Sequence, residues 1–120
     1  MDTNIEINGV SYIREDAINI KPEEATPIGH WCIVRTRDSG VWFAFVLAKE
    51  GRDATLANGR RLHSWSASKG FTLSAVSKYG LSAGSLSSPV PVVYLTETCE
   101  FIPVSEEAKK NLNEWPSHNE

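Results

Sequence analysis

Apolar and polar residues alternate through "NIEINGVSYIR" (residues 4–14), on both sides of Asn8-Gly9. A period of two is the signature of a strand with one buried face, and Asn-Gly supplies the positive φ angles of a tight hairpin turn. The pattern predicts strands near 4–8 and 10–14. The following "EDAINIKPEEATPIG" has two prolines, several carboxylates and no period, and reads as a linker. A two-stranded hairpin is marginal alone. Its apolar groups at Ile5, Ile7, Val10, Tyr12 and Ile13 therefore need cover, from the main body or from another copy. The expectation is a neighbouring subunit and a homo-oligomer.

The main body starts at His30. "HWCIVRTR" is rich in β-branched and aromatic residues, "DSG" at 38–40 is turn chemistry, and "VWFAFVLAKE" is nearly continuously apolar from Val41 to Ala48. Such a run predicts a strand covered on both faces. After a turn at "EGRD", "ATLAN" and "RRLHSW" read as two shorter strands around Asn58-Gly59, giving a meander of about four antiparallel strands. From Ser68 the period lengthens. Leu73, Val76 and Tyr79 fit a short amphipathic helix that Gly80 can close. "GLSAGSLSSP" reads as a small-residue loop, and "VPVVYLTETCEFIPV" as one last long strand. Pro91 and Pro103 cannot donate to a ladder, which limits its paired region to about 92–102. Ser105 is placed to cap a helix over "EEAKKNLNEW", with Glu106 and Glu107 in its first turn. The expected fold class is α+β: a strongly twisted antiparallel sheet (N-terminal hairpin plus meander) with helices near 71–79 and 105–114. The expected organisation is a hairpin and linker over 1–29, a main domain over 30–116, and a tail over 117–120 that frays.

Composition narrows the function classes. The chain has 120 residues, 41% hydrophobic and 22% charged, a globular profile. A net charge of −3 argues against wholesale attraction to a nucleic-acid backbone. No apolar run approaches the roughly 18 residues of a membrane span, and "MDTNIEING" does not read as a secretory signal. Cys32 and Cys99 sit in apolar runs and are expected as buried free thiols. Two cysteines and three scattered histidines do not offer a zinc site, so no metal and no cofactor is expected.

Catalytic patterns are sparse. No nucleophile elbow and no phosphate-cradling glycine loop is present. His63 could reach Ser66 or Ser68 only if the loop folds back. Glu97 and Glu100 fall on opposite strand faces. The unusual segment is "NGRRLHSWSAS" (58–68). Arginine suits bidentate phosphate binding and stacking. Trp65, four residues after Arg61, shares its strand face if the strand runs on regularly. Arg60 or Arg61 with Trp65 would offer charge and a π surface to a flat anion. Ser64, Ser66 and Asn58 would complete a rim. Alternatively Trp65 is core and the arginines snorkel over it. Trp31 and Trp42 read as core, and Trp115 as docking the last helix on the sheet.

At "IVRTRDSGVWFAFVLAKEGRDATLANGRRLHSWSAS" and "LTETCEFIPVSEEA" the chain resembles a family of small accessory proteins of tailed bacteriophages, over about residues 30–110. The shared pattern is an Arg-Thr strand before Ser-Gly-Val, a Leu-x-Asn-x-Arg-Arg segment leading to Trp-Ser, a Leu-Thr-Glu strand and a Pro-x-Ser-Glu helix start. Gly59 stands where alanine is usual, and the serine-rich loop is longer. The resemblance implies a phage protein acting in the host bacterial cytoplasm, without an assigned activity. Together these readings lead to a non-enzymatic module that sequesters a small anionic ligand, such as a cyclic nucleotide immune signal. An inhibitor that binds a host protein, and a phosphodiesterase or other hydrolase using His63, are the alternatives.

Overall fold

The computed structural model describes residues 4–7, 10–13 and 26–118. Strands β1 (Asn4–Ile7) and β2 (Val10–Ile13) pair antiparallel, with Ile5 opposite Tyr12 and Ile7 opposite Val10. Alternation around Asn8-Gly9 predicts this pair. The turn itself, the linker through Ala25 and the side chains of the hairpin lie outside the described residues.

The main sheet has six antiparallel strands: β3 (Trp31–Thr36), β4 (Val41–Glu50), β5 (Asp53–Ala67), β6 (Leu81–Leu86), β7 (Val90–Leu95) and β8 (Thr98–Pro103). Their order is β6-β5-β4-β3-β8, with β7 also on β5. Two strands share the outer edge of β5. β7 pairs with residues 54–59 and β6 with residues 62–67. β7 and β8 lie at opposite ends of the path β7-β5-β4-β3-β8, yet only Thr96 and Glu97 join them. The sheet must therefore curl into a half-barrel. The crossing is tied down where the Thr98 N–H and hydroxyl both donate to Arg52 O, at 2.9 and 2.8 Å.

Curling gives the sheet two buried faces. Inside the curl, Cys32, Val34, Trp42, Ala44, Val46, Ala54, Leu56 and Leu95 pack together. On the convex side Ile33, Phe43, Leu62, Leu81 and Leu86 meet Val76 of α1 (Leu73–Tyr79) and Ala108 and Leu112 of α2 (Glu106–Glu114). This explains the unbroken apolar run of β4, whose alternate residues serve different cores. Both helices start as their sequences require. Thr72 Oγ1 accepts from the Ala75 N–H at 3.1 Å, and Ser105 Oγ from the Ala108 N–H at 3.0 Å. Gly80 closes α1 at φ +83°, where a Cβ would lie 2.6 Å from Asn111. Asn111 in turn binds the backbone N–H and C=O of Leu81, which locks α2 to the start of β6.

The α+β class and both helices agree with expectation. Five details differ. Asn58-Gly59 is not a hairpin turn but a β-bulge within the single strand β5. Phe43 pairs with Arg60 and Phe45 with Ala57, so β5 carries one extra residue, and Asn58 takes φ +52°. Gly59 is buried there because a Cβ would press on Val93 and Trp42, at 3.0 and 3.3 Å. The serine-rich segment is strand β6, held by Leu81 and Leu86 in the convex core. The expected last strand is two strands on opposite ends of the sheet. Cys99 is exposed, whereas Cys32 is buried and burial pushes its thiol up to about 11. The tail is also tied at its start: Ser117 bridges Leu86, and the His118 N–H donates to Leu86 O at 2.9 Å.

Candidate functional site

The two adjacent arginines of β5 do opposite things. Arg60 pairs with Phe43, so it points to the convex core, where it is 3% exposed. Its Nε donates to Ser87 O at 2.8 Å and its Nη1 to Leu112 O at 2.6 Å. Weaker bonds reach Asn113 O and Ser117 Oγ, at 3.5 and 3.4 Å. Leu112 and Asn113 belong to the last turn of α2, whose carbonyls lack intrahelical donors. A cation there also meets the negative end of the helix dipole. Burial lowers the guanidinium from its ordinary value, and these oxygens keep it solvated. Arg60 is a structural tie with its donors occupied and is not placed to meet a ligand.

Arg61 points the other way. It pairs with Trp42, and its guanidinium lies 4.5 Å from the centroid of the Trp42 ring. Trp42 is 6% exposed, and its Nε1 is buried without a hydrogen-bond partner among the described residues. The Arg61 side chain is exposed, and no carboxylate pairs with it among the described residues.

Trp65 does not share this face. β5 and β6 fall out of step between Leu62 and Ser64, so His63 is an extra residue and the alternation shifts by one. Arg60, Leu62, Trp65 and Ala67 thereby line up on the convex side, where Trp65 and Trp115 pack on the core. Trp115 docks as expected, its Nε1 donating to Gly84 O at 3.1 Å. The expected pairing of Arg61 with Trp65 is thus separated by a bulge.

What gathers around Arg61 instead is a cleft of about 210 Å³ lined by Arg61, His63, Ser85, Leu86, Ser87 and His118. β5 contributes the arginine and His63, β6 and the residue after it the serines, and the tied tail His118. Ser64 borders it through a hydroxyl–hydroxyl bond to Ser85 at 3.1 Å. Ser87 Oγ accepts the Arg61 backbone N–H at 2.7 Å and fixes the strand position of the arginine. Asn58 is exposed at the bulge, and the Ser66 carbonyl accepts a bond from Ser82; neither lines the cleft. His63 makes no hydrogen bond to a serine hydroxyl among the described residues, and no three of His, Cys, Asp and Glu there group closely enough for a metal.

Three larger hollows mix charges of both signs. One of about 370 Å³ holds Lys49 with Glu50 and Asp53. Another of about 330 Å³ holds Lys109 with Glu106, and one of about 410 Å³ holds Lys49 and Arg52 with Glu100. The Arg61 cleft differs in having no carboxylate in its lining among the described residues. Of the residues that line this cleft, the sequence singles out Arg61 and His63 but not Ser85, Ser87 or His118. They come from segments without periodicity, and only the β5–β6 pairing brings them to Arg61.

Fold and site together define a small α+β half-barrel with an Arg61 cleft, lined by no carboxylate among the described residues, on the concave side of its long strand. Residues 29–112 match the family model of a domain of unknown function, DUF6948, and the chain belongs to that family. The match runs from the residue before His30 into α2. No curated protein and no solved structure matches the chain. No helix among the described residues is long and apolar enough to cross a membrane.

Proposed function

We propose that this protein is a non-enzymatic binding module that sequesters a small anionic ligand at the Arg61 cleft, with a cyclic nucleotide signal as the leading case. The observation that carries the reading is the exposed Arg61 guanidinium, without a carboxylate partner among the described residues, in a cleft whose described lining is two imidazoles, two hydroxyls and Leu86. Guanidinium binds phosphate through charge-assisted, paired hydrogen bonds. At about 210 Å³ the cleft suits a phosphoryl group and part of a sugar, below the range of sites that engulf a whole drug-sized ligand. A base then lies across the rim. The Arg61 plane, backed by Trp42, supplies the stacking surface assigned from sequence to Trp65. Ser64 joins the rim through Ser85. The resemblance to tailed-bacteriophage accessory proteins supplies the context, removal of a host immune signal in the bacterial cytoplasm.

The test is to incubate the protein with a panel of cyclic di- and trinucleotides, remove free ligand, denature by heat and analyse what is released. Intact ligand supports the proposal. Cleaved ligand makes the protein a hydrolase, with His63 the first residue to examine. Retention of nothing across the panel moves the function to a protein partner.

A further inference from the structure

Part of the convex sheet face has no cover among the described residues. The helices pack over Ile33, Phe43, Leu62, Leu81 and Leu86. Beyond them, Val90, Val92 and Tyr94 of β7 stand 41%, 44% and 77% exposed. Val92 pairs with Ala57 and Tyr94 with Thr55, while Ala57 in turn pairs with Phe45. Because Val93 faces the inner core, strand alternation puts Val90, Val92 and Tyr94 together on the convex side. The patch carries no charge, and Lys49, Glu50 and Asp53 stand at its rim. A charge-free centre with a polar rim is the anatomy of a contact surface.

We infer that the chain's own N-terminal hairpin, β1 and β2, packs face to face on this β7 patch. Two observations choose this occupant. The first is need and fit. The hairpin is a separate two-stranded sheet, too small to persist alone. Ile5, Ile7, Val10 and Tyr12 occupy paired register positions in it. Its four-residue strands and the span from Val90 to Tyr94 are both about 13 Å long. The second is reach. The Gly29 N–H donates to Val46 O, and the Val46 N–H to His30 O, so the chain joins the sheet beside β4. From there β7 is three inter-strand steps away, about 15 Å. The intervening residues 14–28 can span up to about 50 Å. Packing is through the face rather than the free edge of β7, because Pro91 removes a donor from that strand. The contact places the cover on the main body, the alternative to a neighbouring subunit that the sequence leaves open.

Amide hydrogen exchange on the full chain at low micromolar concentration tests this. Amides of residues 4–13 should exchange at least tenfold more slowly than in a free peptide of the same sequence, with a monomer mass by light scattering. In the double variant Val92→Lys/Tyr94→Lys that protection should vanish, while the β3, β4 and β5 amides keep theirs. Both positions are exposed on the body, so the body itself should stay folded. Peptide-like exchange at 4–13 in the unchanged protein overturns the inference, as does protection that survives the double variant. Protection lost on dilution together with a fall from dimer to monomer mass also overturns it, and makes a second copy the occupant.

Discussion

Replacing Arg60 by alanine should cost the fold as much as emptying a core position. The guanidinium makes two short bonds, 2.6 Å to Leu112 O and 2.8 Å to Ser87 O, and is 3% exposed. A hydrogen bond with one charged partner contributes about 1.5–3 kcal/mol, and its loss leaves a buried carbonyl without a donor. Two such losses come to about 3–6 kcal/mol, and partial collapse of the emptied site keeps the net at about 3–5 kcal/mol. That is a large share of a small domain's stability. At about 4 °C per kcal/mol for a chain of this size, Tm should fall by about 12–20 °C. Arg60→Lys should recover part of this, because an ammonium lacks the planar fork that reaches Ser87 and α2 together. Arg61→Ala is the paired control. It removes an exposed side chain and one cation–π contact, worth about 0.5–1 kcal/mol. Thermal melts followed by circular dichroism give both values. An Arg60→Ala protein melting within about 2 °C of the parent, or an Arg61→Ala protein melting below the Arg60→Ala protein, would refute the assignment of Arg60 as the tie between β5 and α2.

The thiols should separate cleanly: a disulfide reagent should modify Cys99 in the native protein and Cys32 only after unfolding. Burial raises the Cys32 pKa from 9.0 to about 11, so the native state holds this proton more tightly than the unfolded chain. Its contribution is full below pH 9 and is lost as pH rises from 9 to 11, about 2–3 kcal/mol in all. Urea midpoints across that range should fall, and Cys32→Ala should flatten the decline. Gly84→Ala should destabilise by about 2–3 kcal/mol, read from the urea midpoint. Gly84 takes φ +149°, and a Cβ would collide with the Ser64 carbonyl oxygen across the β5–β6 pair.

Local signals marked what is local in this fold. Asn8-Gly9 between alternating residues marked the hairpin. Thr72 and Ser105 cap helices within two residues of the expected starts, and the run from Val41 to Ala48 marked a strand covered on both faces as far as Val46, with Leu47 and Ala48 exposed. What depends on a partner strand was not visible. Asn58-Gly59 has the chemistry of a hairpin turn, but β4 and β7 flank it on both sides and turn it into a bulge. "LSAGSL" has little strand propensity of its own. It is a strand because Leu81 and Leu86 are anchored in the convex core and Gly84 allows close approach to Ser64. The same limit governs the site. Period-two counting puts Trp65 with Arg61, and one extra residue at His63 reverses it. The tie made by Arg60 joins residues 52 positions apart, and no local pattern encodes it.

The most direct measurement of the central claim is calorimetric titration of the ligand recovered from the nucleotide panel into the parent protein and into Arg61→Ala. If the Arg61 cleft holds the anion, Arg61→Ala should remain folded and lose about 1.5–3 kcal/mol of affinity, more than tenfold in Kd. Binding of equal strength by a folded Arg61→Ala protein would contradict the account and remove the cleft as the binding site.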